Sequence, residues 1–151
     1  MRLQDKVAVI TGASGGIGRE IVSAFVAEGA RVVAADLDQQ AVEDVAAGYS
    51  GQVAACAVDV TDFQAVEAMI DFAEESFGTL DVVINNAGIG TPCLLLDHDP
   101  VADFEGVTAV NQKGVYYGIL AGARKLVALG KPGVILNTSS VYGTMAAEMT
   151  F

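Results

Sequence analysis

Val7-Ala8-Val9-Ile10-Thr11 runs directly into Gly12-Ala13-Ser14-Gly15-Gly16-Ile17-Gly18, after which Ile17, Ile21, Ala24 and Phe25 recur at helical spacing. A β-branched run, a glycine cluster and an amphipathic segment in immediate succession describe a strand that turns sharply into a helix. Gly12 permits the tight turn, Gly16 lets backbone approach a diphosphate, and Gly18 lets the helix lie close to the strand. The orphan N–H groups and positive dipole end of such a helix attract an anion. The glycine pattern is G-x-x-x-G-x-G rather than G-x-G-x-x-G. No Gly-Lys-Ser/Thr follows it, so this is not the P-loop of triphosphate-cleaving enzymes.

Outward from this turn, short apolar runs alternate with helical segments. The runs are Arg31 to Ala35, Val53 to Val58, Asp81 to Asn85 and Val134 to Asn137. Most are apolar on both faces of the pleat, as a parallel sheet covered by helices requires. Ile17, Ile21, Ala24 and Phe25 predict the inward face of the first helix. Val66, Met69, Ile70, Ala73 and Phe77 do the same for the third. Ala41 to Ala47 is a weaker second helix, and a long one is predicted from near Pro100 to near Leu129. Thr61-Asp62 supplies an N-cap, and Gly29 and Gly78 mark helix ends. The expected fold is therefore α/β, a doubly wound, Rossmann-like parallel sheet built from right-handed crossovers. Residues 1–151 read as one domain, with the last strands and helices of such a sheet lacking and the fifth strand left as an exposed edge.

Composition narrows the function. The chain is 52% apolar, with eight Lys and Arg against nineteen Asp and Glu, a net charge of −11. Such a surface repels phosphate backbones and anionic bilayers, so nucleic acid and membrane are not expected partners. No run approaches the ~20 apolar residues that span a bilayer, and the polar Met1 to Lys6 is no signal peptide. A cytoplasmic location is expected. Cys56 and Cys93 show no metal-ligand or redox spacing and read as buried thiols, so no metal is expected. His98, the one histidine, reads as a solvated loop side chain rather than a base.

Asp36 closes the second strand, eighteen residues past Gly18. In a dinucleotide fold that position accepts the hydroxyls of the adenosine ribose. A 2′-phosphate there meets like charge, on the order of 4 kcal/mol at 4 Å and an effective dielectric of 20, less with water between. Gly15 and Leu37 hold the positions where a compensating base is expected, so the sequence favours NAD over NADP.

At this point the chain resembles the short-chain dehydrogenase/reductase family. The family's T-G-x-x-x-G-x-G matches Thr11 to Gly18, and its Asn-Asn-Ala-Gly matches Asn85-Asn86-Ala87-Gly88. Its acid-plus-apolar pair after the third strand matches Asp59-Val60, its helical Asn matches Asn111, and its Ser matches Ser140. The resemblance implies cofactor contacts from Gly12, Ser14, Gly16, Ile17, Gly18, Asp36, Asp59, Val60, Asn86, Ala87 and Gly88. Asp59 would hold the adenine amino group, and the Val60 backbone would support the ring. Asn111 would hold a water in a proton relay, and Ser140 would bond the substrate oxygen.

The same resemblance implies a Tyr base followed by Lys in Tyr-x-x-x-Lys, and residues 1–151 contain no such motif. Tyr142 is followed at that spacing by Ala146, and Tyr49, Tyr116 and Tyr117 by Val53, Leu120 and Ala121. The expected Tyr falls just past Phe151, so residues 1–151 alone are expected to be inactive. The implied reaction is NAD-dependent interconversion of a secondary alcohol and a ketone. Apolar character in Gly90 to Leu96 and Tyr142 to Met145 suits a hydrophobic substrate. Val115, Tyr116, Ile119, Ala123 and Leu126 divide between covering the sheet and forming a homodimer or homotetramer. Two alternatives stay open. One is a non-catalytic nucleotide-binding protein on the same cradle. The other is a methyltransferase, which gives no reason for Asn85 to Gly88 or for Ser140.

Overall fold

The computed structural model describes residues 1–90 and 92–145. Thr91, within the expected substrate-side segment, and Ala146 lie outside the described residues. Five parallel strands, β1 (Val7–Thr11), β2 (Arg31–Asp36), β3 (Val53–Ala57), β4 (Val82–Asn85) and β5 (Val134–Asn137), form one sheet in the order β3-β2-β1-β4-β5. Helices α1 (Gly16–Ala27) and α2 (Gln39–Ala47) connect β1 to β2 and β2 to β3. Helix α3 (Phe63–Phe77) crosses from β3 to β4. The doubly wound arrangement read from the sequence is the one observed.

The strand order reverses between β1 and β4, which register Ala8 on Val82 and Ile10 on Ile84. Connections leave these two strands in opposite directions, so a crevice opens at their carboxyl ends. Apolar side chains fill both faces of the sheet. One core gathers Val7, Val9, Val33, Met69, Ile70, Leu80 and Val83 under α3, and the other gathers Ala8, Ile10, Val22, Val32, Val42 and Val45 under α1 and α2.

Local signals act as expected at most helix ends. Asp62 caps α3 by accepting N–H groups of Gln64 and Ala65, and Asp38 caps α2 by accepting that of Ala41. Gly78 ends α3 at φ +82°, a left-handed conformation that costs glycine least. The buried face of α3 is the predicted one, with Val66, Met69, Ile70 and Ala73 inward.

The face of α1 is corrected in part: Ile21 and Phe25 pack against the core as expected, but Ile17 and Ala24 do not. Gly18 and Val22 are its buried residues, whereas Ile17 is 66% exposed and Ala24 is exposed. Because α1 is apolar around much of its circumference, period alone does not fix its rotation; the glycine does. Gly18 faces the turn because it is the residue that fits there.

The long helix is also built differently from expectation. It runs as π-helical turns Pro100–Glu105, a short α turn Gly106–Thr108, π-helical turns Ala109–Gly114, and then an α-helix Val115–Ala128. Its buried row is Gly114, Gly118, Ala121, Gly122 and Leu126, while Tyr116 and Ile119 point outward. A Cβ on Gly118 would lie 1.9 Å from Asn85 Oδ1, and one on Gly122 would lie 2.9 Å from Val83 Cγ2. Gly118 and Gly122, four residues apart, seat the helix on β4. Strand β5 forms the expected open edge, with Val134 50% and Leu136 49% exposed.

At the opposite end of the sheet, buried Asp81 gathers Lys131 Nζ at 2.8 Å, Lys6 Nζ at 3.2 Å and the Val7 N–H at 3.0 Å. Burial works to raise the Asp81 pKa, but the lysines and the Val7 N–H outweigh it and hold the carboxyl below its ordinary range. A depressed folded-state pKa contributes stability above the unfolded value near pH 4, and that contribution fades as pH falls through the folded value. Asp81→Ala should therefore cost about 2 kcal/mol by chemical denaturation at pH 7, and much less near pH 2.

Candidate functional site

The crevice between β1 and β4 opens into a cleft of about 490 Å³. Gly12 and Ser14 to Gly18 of the glycine turn, Asp36 and Leu37, Val58 to Val60, Asn86 to Ile89, Val110 and Thr138 line it. Of the eleven residues expected to contact a cofactor, all line this cleft: Gly12, Ser14, Gly16, Ile17, Gly18, Asp36, Asp59, Val60, Asn86, Ala87 and Gly88.

Each stretch of the turn has a distinct physical task. Gly12 holds φ +65°, and a Cβ there would come 2.9 Å from Ala87 Cα. A Cβ on Gly18 would lie 2.0 Å from the Gly12 carbonyl oxygen, so no side chain fits between strand end and helix. At Gly16 a Cβ would meet nothing within 4 Å, because that backbone faces open cleft. Unlike α2 and α3, α1 begins on a residue, Gly15, that offers no side-chain cap. Its first N–H groups are thus left to another acceptor, as an anion-binding terminus requires. These features fit the diphosphate of a dinucleotide.

Asp36 terminates β2 beside this turn. Its Oδ2 accepts the Ser14 N–H at 2.9 Å and the Ser14 hydroxyl at 2.7 Å, and its Oδ1 accepts the Leu37 N–H at 2.7 Å. Partial burial pushes its pKa up, but the bonds from Ser14, Leu37 and Asp38 more than offset this, and the carboxyl stays below its ordinary range. Asp36 is therefore held ionised, with lone pairs to spare. Arg19, which the sequence reading passed over, stands beside this corner, its Nε donating to the Ser14 carbonyl at 2.7 Å.

A second network ties the mouth together. The Thr11 hydroxyl accepts the N–H groups of Asn86 and Ala87, each at 3.0 Å, and donates to the Ile84 carbonyl at 3.4 Å. Asn86 Nδ2 donates to the Thr11 carbonyl at 3.1 Å, and Asn86 Oδ1 accepts the Thr138 hydroxyl at 3.2 Å. Three strand ends are thus joined through one amide. Asp59 accepts the N–H and hydroxyl of Thr61, which orients its carboxylate at the far wall.

The two residues expected to be catalytic are placed differently. Asn111 lies within the π-helical turns, where its Oδ1 accepts the Ile89 N–H at 2.9 Å and its Nδ2 donates to the Ile89 carbonyl at 2.8 Å. Its side chain clamps the segment after β4. Ser140 lies exposed beyond β5, and its Oγ accepts the Tyr142 N–H at 3.2 Å. It is Thr138, two residues earlier, that lines the cleft.

Sequence reasoning assigned no task to Thr11 or Thr138 and missed the glycine row of the long helix. The row had a signal in its four-residue period, but hydrophobic periodicity does not register residues that lack side chains. Neither cysteine is fully buried, which corrects the buried-thiol reading. His98 is not solvated: its side chain is 11% exposed and lies beside Asp103.

A sequence model described as short chain dehydrogenase matches residues 6–150. The chain belongs to the short-chain dehydrogenase/reductase family. It is 41% identical over 140 residues to a protein of Mycobacterium tuberculosis named "Probable oxidoreductase EphD", covering 91% of this chain and 24% of that protein. It is 39% identical over 150 residues to (+)-borneol dehydrogenase 2 of Salvia officinalis, covering 96% and 52%. A crystal structure of a family member from Burkholderia phymatum in complex with NAD superposes with a TM-score of 0.91 at 31% identity, covering 98% of this chain and 53% of that one. The chain thus spans about half the length, or less, of these relatives. The match establishes an oxidoreductase family and a Rossmann-like sheet for this stretch.

Two glycines separate folding from binding. Gly18→Ala should lose ~3 kcal/mol or more in chemical denaturation, because backbone rather than a mobile side chain blocks the Cβ. Gly16→Ala should keep its stability within ~0.5 kcal/mol yet weaken dinucleotide binding at least tenfold by calorimetry, since the added methyl occupies the cleft-facing backbone. Equal effects of the two substitutions on stability would contradict this division.

Proposed function

We propose that this chain is the cofactor-binding part of an NAD-dependent oxidoreductase that interconverts a secondary alcohol and a ketone. Asp36 carries this reading. It stands ionised at the end of β2, beside an uncapped helix terminus that fits a diphosphate, and it has capacity to accept ribose hydroxyls. No Lys or Arg occurs between Arg31 and Lys113, so the strand ends that line the cleft beyond the turn carry no cation to receive a 2′-phosphate. Arg19 is engaged with the Ser14 carbonyl.

In this reading the turn residues Gly12, Ser14, Gly16, Ile17 and Gly18 hold the diphosphate, Asp36 the adenosine ribose, and Asp59 with Val60 the adenine. Asn86, Ala87 and Gly88 form the wall where β1 and β4 diverge. NAD, when bound, supplies the redox chemistry by taking or returning a hydride. The protein's own residues orient the reactants and handle the proton. Ser140 bonds the substrate oxygen, and Asn111 acts as a positioning residue through Ile89. A general base contributes roughly 10²- to 10⁴-fold, and residues 1–151 hold no Tyr-x-x-x-Lys to supply one. The borneol dehydrogenase relative, together with the apolar segments around Leu94 and Met145, supports a hydrophobic alcohol or ketone. Exposed Tyr116, Ile119 and Val127 on the long helix support self-association as a homodimer or homotetramer, and the enzyme is proposed to be cytoplasmic.

Calorimetric titration of the full-length protein should give NAD a Kd at least tenfold below that of NADP, and Asp36→Asn should narrow the gap. Tighter binding of NADP would reverse the cofactor assignment, and no heat with either would end the dinucleotide reading. With NADH and a panel of ketones, the full-length protein should turn over while a preparation limited to residues 1–151 should not. Binding without turnover by the full-length protein would make it a non-catalytic nucleotide-binding member of the family.

A further inference from the structure

Away from the cleft, residues 92–99 precede the long helix. Cys93 stands ahead of a 3₁₀ turn (Leu95–Asp97), His98 follows that turn, and Asp103 lies in the first π-helical turns, Pro100–Glu105. The spacing is Cys-x₄-His-x₄-Asp, which matches no common ligand pattern. The fold nevertheless brings one ligand atom of each to within 4.8 Å of the other two, and all three residues are half-buried. We propose that Cys93, His98 and Asp103 bind one divalent cation of the zinc type.

The donor set argues for that class. A thiolate, an imidazole and a carboxylate suit zinc or cobalt, whereas magnesium and calcium require oxygen ligands throughout. Bonds of about 2.0 to 2.3 Å in a tetrahedron set ligand atoms about 3.3 to 3.8 Å apart, so no pair here needs to close by more than about 1.5 Å. Water completes the fourth position.

The surroundings favour a cation as well. Asp97, Asp99 and Asp103 fall within this stretch, and the nearest Lys or Arg in sequence are Arg31 and Lys113. The His98 and Asp103 side chains are only 11% and 18% exposed, with His98 Nδ1 3.9 Å from Asp103 Oδ2. A carboxylate in a part-buried place costs free energy that a cation beside it offsets. Asp103 Oδ2 already accepts the Asp99 N–H at 2.8 Å, an outer bond of the kind that fixes a ligating carboxylate. Asp99 in turn accepts the N–H groups of Val101 and Ala102, which anchors the helix start carrying Asp103. A bound ion would bolt this segment at one end, as the Asn111 clamp on Ile89 does at the other.

The rival account is a direct His98–Asp103 contact with Cys93 as a mere neighbour, and metal titration separates the two. Metal-free full-length protein dialysed against zinc and analysed by elemental mass spectrometry should retain one ion per chain. Cys93→Ser and His98→Gln should each weaken retention by about 100-fold or more, beyond what loss of an outer partner costs, while Cys56→Ser leaves it unchanged. Cobalt loading should give a thiolate-to-metal charge-transfer absorption that survives Cys56→Ser. Where Cys93→Ser fails to fold, Cys93→Ala and Asp103→Asn repeat the test, and loss of the cobalt band in either folded variant assigns it to this cluster. No retained zinc, retention indifferent to Cys93→Ser in a folded variant, or loss of the cobalt band in Cys56→Ser would each overturn the proposal.

Discussion

The carbonyl of Gly12 and the backbone of Gly18 approach so closely that a single methyl group would sit 2.0 Å from oxygen. That approach brings the start of α1 against the end of β1, and with it an uncapped row of N–H groups against the cleft. The arrangement cannot be relaxed by rotating a side chain, since backbone stands on both sides. Everything that lines the cleft is arranged around that fixed corner. Ser14 turns inward to hold Asp36, and Asn86 reaches back to the Thr11 and Gly12 carbonyls.

The same device recurs where the long helix meets β4. Gly118 lies over Asn85, whose amide donates to Asn137 on β5 at 2.8 Å, and Gly114 lies over Val60. Close packing without side chains brings Asn111, three residues before Gly114, within reach of Ile89. The π-helical turns around it shift the helix register locally, a distortion often found at functional sites. Two glycine contacts on opposite sides of the sheet thus position both walls of the cleft.

Electrostatics complement this packing. The chain carries a net charge of −11, yet its cleft fits an anionic cofactor. Backbone N–H groups and a helix dipole accept the diphosphate without a basic side chain, so local fixed dipoles act against an unfavourable global field. The acidic balance persists in the segment after β4, where Cys93, His98 and Asp103 converge.

Much of the architecture was legible in the residues. The strand runs, the switch from period two to period 3.6, the caps at Asp62 and Gly78, and the glycine turn each depend on local conformational preference, which sequence states directly. Gly12, Gly16, Gly18 and Asp36 were legible because spacing along a βαβ unit fixes where strand ends fall, whereas Asp59, Val60 and Asn86 to Gly88 were legible through the family resemblance. The rotation of α1, the glycine row under the long helix, the hub at Thr11 and the meeting of Cys93 with His98 and Asp103 were not. Each depends on which surfaces press together across the sheet or around a bend. Apolar helices fit more than one rotation, glycines leave no hydrophobic mark, and residues five apart with a turn between them meet only through its path. Local chemistry thus determined the elements and their order, whereas close packing in three dimensions decided which faces turn inward and which side chains share a site.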